Sequence, residues 1–209
     1  MKPGRIAIVG AAETARLGTI PDQSMLALHA EAALRALADC GLAPRDVDGL
    51  ACAGLQPYLP TQVAWSLGIE PRWADATMLG GCSFLIHVRH AAAAIAAGQC
   101  SVALITHGES GRSRLGMGAF AGPGPDSLQG QFELPFGTAG PTTLLTLGAL
   151  RFMRETGTTR EQLAAVVAAQ GQWAARNPRA ARRTPLGVEE VLAAEPIAWP
   201  FTRAMVCLV

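Results

Sequence analysis

Short apolar runs alternate with amphipathic helical patterns through the first 107 residues of the chain. The apolar runs predict buried strands at Arg5–Gly10, Val47–Ala53, Ala74–Leu79 and Val102–Thr106. Helical spacing and capping residues predict helices from Ser24 to about Gly41, near Thr61–Leu67, and from a Ser83 cap to Ala97. This alternation predicts an α/β fold with a mostly parallel mixed sheet and helices on both faces.

The pattern changes after residue 107. Between Gly108 and Pro141 there are nine Gly and four Pro, a density that indicates a functional or mobile loop, such as a lid. Helical patterns then return, and Thr159 with Gln162 has the spacing of a capping box that opens a helix ending near Arg176. We therefore expect a core over 1–107, a largely helical loop insert over 108–200, and the start of a returning strand over 201–209.

Composition narrows the class of protein. The chain has 209 residues with 17 Lys and Arg against 16 Asp and Glu, a net charge of +1 that argues against a nucleic-acid partner. Half of the residues are hydrophobic, which excludes disorder for the bulk of the chain. No run reaches the roughly 18 apolar residues of a membrane span. The five cysteines lack the spacing of a disulfide framework or zinc finger, so we expect a cytoplasmic protein.

The cluster Gly80-Gly81-Cys82-Ser83 is a candidate catalytic turn. Two glycines after a strand permit a tight turn, and a cysteine at a helix N-terminus lies where unpaired amide groups favour a thiolate. That is the geometry of a nucleophilic cysteine. Free cysteines are also among the most buried residue types, so simple packing of Cys82 is the favoured alternative on spacing alone.

Histidines supply a second set of candidates. His107 follows the strand Val102–Thr106, and the carboxyl ends of parallel strands are where ligand clefts open. The alternative, that His107 is simply a polar side chain at the end of the strand, has equal weight. His87 and His90 share one face of the predicted helix, but a metal site would need a third ligand, so packing or surface roles are favoured.

A basic cluster follows the helix that ends near Arg176. Arg182 and Arg183 belong to it, and the segment has no carboxylate between Glu161 and Glu189. Guanidinium groups bind phosphate in a bidentate manner, so the cluster is a candidate phosphate site. A solvated surface segment is the commoner outcome for such a cluster.

Several segments together resemble the thiolase superfamily, especially its lipid-transfer or sterol-carrier-type branch. Their order and spacing extend over almost the whole chain. The resembling segments are Arg5–Thr14, Ala32–Leu42, Asp46–Leu50, Gly80–Phe84, Ala91–Gly98, Val102–Gly108, Pro135–Gly137, Thr158–Leu163 and Asn177-Pro178.

The resemblance implies a layered thiolase-like α/β unit with an insert, 108–200, that covers an acyl-CoA site. It implies CoA thioesters as substrates rather than a tightly bound cofactor, with Cys82 and His107 as candidate catalytic residues and Arg182 and Arg183 as candidates for the CoA phosphate. The expected activity is thiolase-like acyl transfer, by Claisen-type condensation or by thiolytic or retro-aldol carbon–carbon cleavage. The alternative is a non-catalytic acyl-CoA or lipid-binding component of a complex.

Two departures from the family pattern qualify that expectation. The nucleophilic cysteine of the family falls on Gly81, with Cys82 one residue later, and one residue at a helix start turns a side chain by about 100°. Family members are also roughly twice as long, and their remaining catalytic His and Cys lie beyond this sequence. We therefore expect Cys82 not to act as a full nucleophile. We also expect a homodimer or higher oligomer, with a second protein subunit as a further candidate partner.

Overall fold

The structure is a computed structural model that describes residues 4–53, 58–113, 124–138 and 140–206. The chain forms two compact units, Met1–Phe120 and Ala121–Val209. None of the described helices is both long and apolar enough to cross a membrane.

The first unit is built on a three-stranded parallel sheet in the order β2-β1-β3. Its strands are β1 (Gly49–Cys52), β2 (Trp73–Asp75) and β3 (Ala103–Thr106). In the register, Leu50 lies beside Leu104 and Cys52 beside Thr106. The sheet confirms the predicted parallel α/β arrangement, although β2 ends at Asp75, before the predicted limit of Leu79.

Two helices pack on one face of this sheet, α1 (Met25–Asp39) and α2 (Leu59–Leu67). Ser24 caps α1, as predicted, because its side chain accepts the N–H of Ala27, and Gly41 after the helix has the predicted left-handed backbone. The core of this layer consists of apolar side chains from both helices and from the sheet: Met25, Ala33, Leu37, Val47, Leu50, Cys52, Leu59, Val63, Ala64, Ile69 and Leu104.

A third helix, α3 (Ser83–Ala96), contacts all three strands. Its buried residues are Ser83, His87, Ala91 and Ala94. Because side chains alternate along β1, Gly49 and Ala51 face away from the layer that contains Leu50 and Cys52. Helices therefore cover both faces of the sheet, as the sequence predicted.

The prediction of a strand at Arg5–Gly10 is wrong, since this segment pairs with none of the described strands. Ile8 and Val9 are 78% and 63% exposed. The segment instead lies against α1. A Cβ at Gly10 would overlap the carbonyl oxygen of Ala36, and Ala11 donates its N–H to the carboxylate of Asp39 at 3.2 Å. An apolar run of this kind identifies an extended segment, but the pairing partner depends on the rest of the chain.

The second unit is mainly helical. It contains α4 (Leu128–Phe132), α5 (Pro141–Thr156), α6 (Arg160–Arg176) and α7 (Val188–Ala193), followed by an antiparallel pair, β4 (Pro196–Ala198) and β5 (Phe201–Thr202). Its core is formed by Ala164, Val191 and Ala204 with their partly buried neighbours.

Local signals in this unit are partly confirmed. The capping box at the start of α6 is present, since Thr159 and Gln162 bind each other's backbone N–H groups. Part of the predicted loop 108–141 is helical, because Ser127 caps α4 through the N–H of Gly130. Residues 114–123 and 139 of that loop, and 207–209 of the apolar end, lie outside the described residues.

Candidate active site at the start of the third helix

The turn before α3 presents Cys82 at the N-cap position. The predicted cap, Ser83, is instead the first helical residue and is fully buried. Its hydroxyl donates to the carbonyl of Gly80 at 2.7 Å and accepts the N–H of Leu79 at 2.8 Å. Ser83 therefore fixes the turn from inside and leaves Cys82 at its outer side.

Cys82 is the one exposed cysteine in the described part of the chain. Its thiol donates to the carbonyl of Leu79 at 3.3 Å, so the sulfur is turned back onto its own turn. Cys52 and Cys100 are buried, and burial raises the pKa of Cys52 to about 12. Cys82 is therefore more accessible to a reagent than those two cysteines.

His107 leaves the carboxyl end of β3 and lies beside the first turn of α3. Its ring centroid is 4.7 Å from that of Phe84, two residues after Cys82. Its Nε2 lies 3.2 Å from a carboxylate oxygen of Glu109, and its side chain is 41% exposed. Burial lowers the pKa of His107, although Glu109 opposes that shift. The lowered pKa favours the uncharged imidazole, which can accept a proton, and the side chain is paired with a carboxylate and open to a ligand.

A second histidine, His29, lies behind His107. It comes from α1, is 1% exposed, and has its ring centroid 6.3 Å from that of His107. Its Nδ1 is 2.8 Å from the hydroxyl of Thr106, the last residue of β3. Sequence reasoning missed His29, because it falls on the buried stripe of α1, and missed Glu109, although Glu109 follows His107 by only two residues.

The other two histidines have structural partners. His87 is fully buried, and its Nε2 donates to the carbonyl of Thr77 at 2.9 Å, which supports the turn leading to Cys82. The Nδ1 of His90 lies 2.7 Å from Asp75. The described residues contain no group of three or more His, Cys, Asp or Glu arranged to hold a metal ion. These positions agree with the packing and surface roles favoured from the sequence.

A cleft of about 950 Å³ opens in the first unit, and His107 and Glu109 are among its lining residues. Its walls come from the segment Arg5–Gly10, from α1 and α3, and from β3. Most of the lining is apolar. The outer edge of β3 forms part of it, because β3 stands at the end of the described sheet.

The predicted phosphate ligands lie in the second unit. Arg182 and Arg183 are exposed, and Arg183 donates to the carbonyl of Ala175 at 3.4 Å. On the last turn of α6, the guanidinium of Arg176 lies 5.1 Å from the ring centroid of Trp173. The side chains of Arg176 and Arg183 thus both lie near the C-terminal end of α6, and the role of Arg182 and Arg183 toward a phosphate stays a prediction.

Three curated proteins are similar to the chain, although no family model matches it. It is 33% identical over 186 residues to the 17-hydroxy-3-oxo-4-pregnene-20-carboxyl-CoA lyase of Mycobacterium tuberculosis, covering 86% of this chain and 48% of that protein. It is 35% identical over 185 residues to the steroid side-chain-cleaving aldolase of Thermomonospora curvata, covering 85% of this chain and 47% of that protein. It is 28% identical over 205 residues to an acetyl-CoA acetyltransferase of Methanothermobacter thermautotrophicus, covering 93% of this chain and 51% of that protein. The chain therefore spans about half the length of the relatives it matches.

Solved structures are similar over almost the whole chain. The Ltp2-ChsH2(DUF35) aldolase matches with a TM-score of 0.80 and 31% identity, over 97% of this chain and 53% of that one. A monomeric SCP2-thiolase-like protein type 1 from Mycobacterium smegmatis matches with a TM-score of 0.71 and 27% identity, over 96% of this chain and 42% of that one.

The parallel sheet, the helices on both of its faces and the turn at the start of α3 define a thiolase-like protein. The chain belongs to the thiolase superfamily and is similar there to the sterol-carrier-type thiolase-like proteins. The resemblance seen in the sequence is thereby confirmed.

Proposed function

We propose that this chain contributes to a thiolase-fold lyase that cleaves a carbon–carbon bond in a β-hydroxyacyl-CoA thioester. The observation that carries this proposal is the pair His107 and Glu109 beside the first turn of α3. The family resemblance places the nucleophile at Gly81, which has no thiol, and the thiol of Cys82 is bonded back to the carbonyl of Leu79.

The chemistry of a retro-aldol cleavage fits this set of residues. A base removes the proton of the β-hydroxyl, the bond between the α and β carbons breaks, and a ketone leaves. The electron pair passes to the thioester as an enolate, which then takes a proton at the α carbon. The reaction needs a base and a site that stabilises the enolate oxygen, but no acyl-enzyme.

His107 is the residue we assign as the base. Its lowered pKa favours the uncharged imidazole, and a proton it accepts would be stabilised by the carboxylate 3.2 Å away. The N–H groups of Ser83 and Leu85 are bonded to the carbonyls of Gly80 and Cys82, so the first turn of α3 would stabilise a developing oxyanion mainly through the positive end of the helix dipole. Acyl transfer, by contrast, needs a nucleophile whose sulfur faces the substrate.

The comparisons support a lyase over the acyltransferase expected from the sequence. The two relatives above 30% identity are named a CoA lyase and an aldolase, whereas the acetyltransferase is 28% identical. The mostly apolar cleft beside His107 is suited to a bulky apolar acyl group such as a steroid. Arg182 and Arg183 remain our candidates for the phosphates of CoA.

A second candidate function is non-catalytic binding of acyl-CoA within a complex. The name of the similar Ltp2-ChsH2(DUF35) aldolase joins two components, and this chain covers 53% of the matched chain. In that case His107 would orient the thioester, and cleavage would depend on groups outside this sequence.

The test is incubation of the chain with 17-hydroxy-3-oxo-4-pregnene-20-carboxyl-CoA, with mass spectrometry of the products. We expect a steroid ketone and a shortened CoA thioester, both lost in His107→Asn and retained in the control His90→Asn. Cleavage that persists in His107→Asn would overturn the assignment of the base. Binding of the thioester without cleavage would overturn the lyase proposal and favour the second candidate.

A further inference from the structure

We propose that His29 is a positioning residue for His107. The hydrogen bond to Thr106 fixes the ring of His29, and that ring holds the His107 imidazole in the orientation in which it removes a proton from the substrate. This inference rests on the proposed function, since it assigns a supporting role for the same base.

The first observation is the close approach of the chain after β3 to α1. A Cβ at Gly108 would lie 2.5 Å from Cδ2 of His29 and 2.7 Å from its backbone nitrogen. Atoms at such distances overlap, so only glycine fits, and the peptide that carries His107 and Glu109 rests directly on His29.

The second observation is that two rings confine His107. The ring of His29 lies edge-on to it, at an interplanar angle of 71°, and the ring of Phe84 lies at 59° with centroids 4.7 Å apart. One ring belongs to α1 and the other to α3. Rings from two different helices therefore flank the His107 imidazole and limit its rotamers on those two sides, while the rest of the side chain stays open.

The third observation is an unsatisfied nitrogen. The Nδ1 of His29 bonds Thr106, but its Nε2 is buried without a hydrogen-bond partner in the described part of the chain. An unsatisfied buried polar atom destabilises the folded state, and an apolar side chain of similar size would avoid that cost. Packing alone therefore does not account for a histidine at this position.

His29 does not act on His107 through a charge, because Glu109 is the charged group that faces His107 and His29 is itself uncharged. Glu109 faces His107 from its own loop and His29 faces it from α1, while α3 presents the uncharged Phe84. The charged residues lining the rest of the cleft are Arg5, Glu13 and Arg16. Burial, and then the neighbouring His107, lower the pKa of His29 to about 4, so His29 is uncharged when His107 works.

The experiment combines turnover with NMR of the histidine rings in the full chain. In His29→Leu we expect kcat for the cleavage to fall about tenfold or more with KM unchanged, because misplacing a catalytic group by about 1 Å has effects of that size. The pH at which His107 titrates should move toward that of a free histidine. Thr106→Val should act in the same direction and Thr106→Ser should restore both readouts, with His90→Asn as the control.

Unchanged His107 titration and unchanged kcat in a folded His29→Leu would overturn the proposal. If His29→Leu does not fold, Thr106→Val decides in its place, since it retains the ring of His29 and removes only the bond that orients it. The NMR readout needs no turnover. A changed His107 titration in a chain without lyase activity would therefore support the positioning role and refute the proposed function. Lyase activity with an unchanged His107 titration in the variants would refute the positioning role and support the proposed function.

Discussion

Asp48 and Val102 form a closed hydrogen-bonded pair between the starts of β1 and β3. The N–H of Asp48 donates to the carbonyl of Val102 at 3.1 Å, and the N–H of Val102 donates to the carboxylate of Asp48 at 2.8 Å. The same carboxylate accepts the N–H of Ser101 at 2.7 Å. A single side chain thus sets the register of the two strands whose far ends carry the candidate site.

We expect Asp48→Ala to lower the free energy of unfolding by about 2 kcal/mol, since hydrogen bonds to a charged group contribute about 1.5–3 kcal/mol. Urea unfolding followed by circular dichroism measures the loss. Glu70→Ala removes an exposed carboxylate of the same unit and is the matched control. Equal stability of the two variants would contradict the role assigned to Asp48.

The burial of His29 makes stability depend on pH. Since its pKa in the folded protein is about 4, against 6.5 when unfolded, the unfolded state binds the proton first as the pH falls. We expect the free energy of unfolding to decrease by about 3 kcal/mol between pH 6.5 and 4, at roughly 1.4 kcal/mol for each unit of pKa. In His29→Leu the curve over this range should be flatter, and a wild-type curve that is already flat would argue against a buried, uncharged His29.

Cys82 should react with reagents but not retain an acyl group. With a small excess of iodoacetamide, peptide mapping should find Cys82 modified before Cys52 and Cys100, because it is exposed and they are buried. Intact mass after incubation with acetyl-CoA should show no stoichiometric adduct. A stable adduct that disappears in Cys82→Ser would restore the acyltransferase mechanism.

The capping box of α6 should contribute measurably to the second unit. Thr159→Ala removes the acceptor for the N–H of Gln162, and we expect a loss of about 1 kcal/mol in the free energy of unfolding. Thr159→Ser should retain most of it. Gln170→Ala, at an exposed position of the same helix, should be close to neutral; a loss there as large as that of Thr159→Ala would mean that the box is not the cause.

Self-association is expected from the exposed apolar side chains of α5. Leu145, Leu147 and Phe152 are 65%, 64% and 51% exposed. Several large apolar side chains exposed on one helix indicate a contact surface, whereas single exposed apolar residues do not. Light scattering at micromolar concentration should give about twice the chain mass of 21.7 kDa or more. Leu145→Gln with Leu147→Gln should shift the mass toward the monomer. A monomer at all concentrations would agree instead with the behaviour of the similar monomeric protein from Mycobacterium smegmatis.

Local signals identified most elements of the chain, because caps and apolar spacing act over a few residues. Ser24, Gly41 and the Thr159–Gln162 box behaved as predicted. His107 could be singled out because a strand end is itself a local feature. The helix cap was misplaced by one residue because the hydroxyl of Ser83 bonds Gly80 rather than the helix.

Long-range contacts explain what the sequence did not predict. His29 meets Thr106 across 77 positions of the chain, and nothing near His29 indicates that partner. The segment Arg5–Gly10 has the composition of a strand but is fastened to α1. Pairing of strands is decided by which edges the whole fold leaves available, and that information is spread over the entire sequence.

Among the described residues, the outer edge of β3 pairs with no further strand. A row of unpaired backbone groups at the end of a sheet can pair with an extended apolar segment of another molecule, and Ile8 and Val9 are 78% and 63% exposed in such a segment. We therefore expect heating or concentrating the chain to favour aggregation as well as unfolding. We expect its apparent melting temperature to vary with scan rate at high protein concentration, so the free energies of unfolding are to be measured in dilute protein.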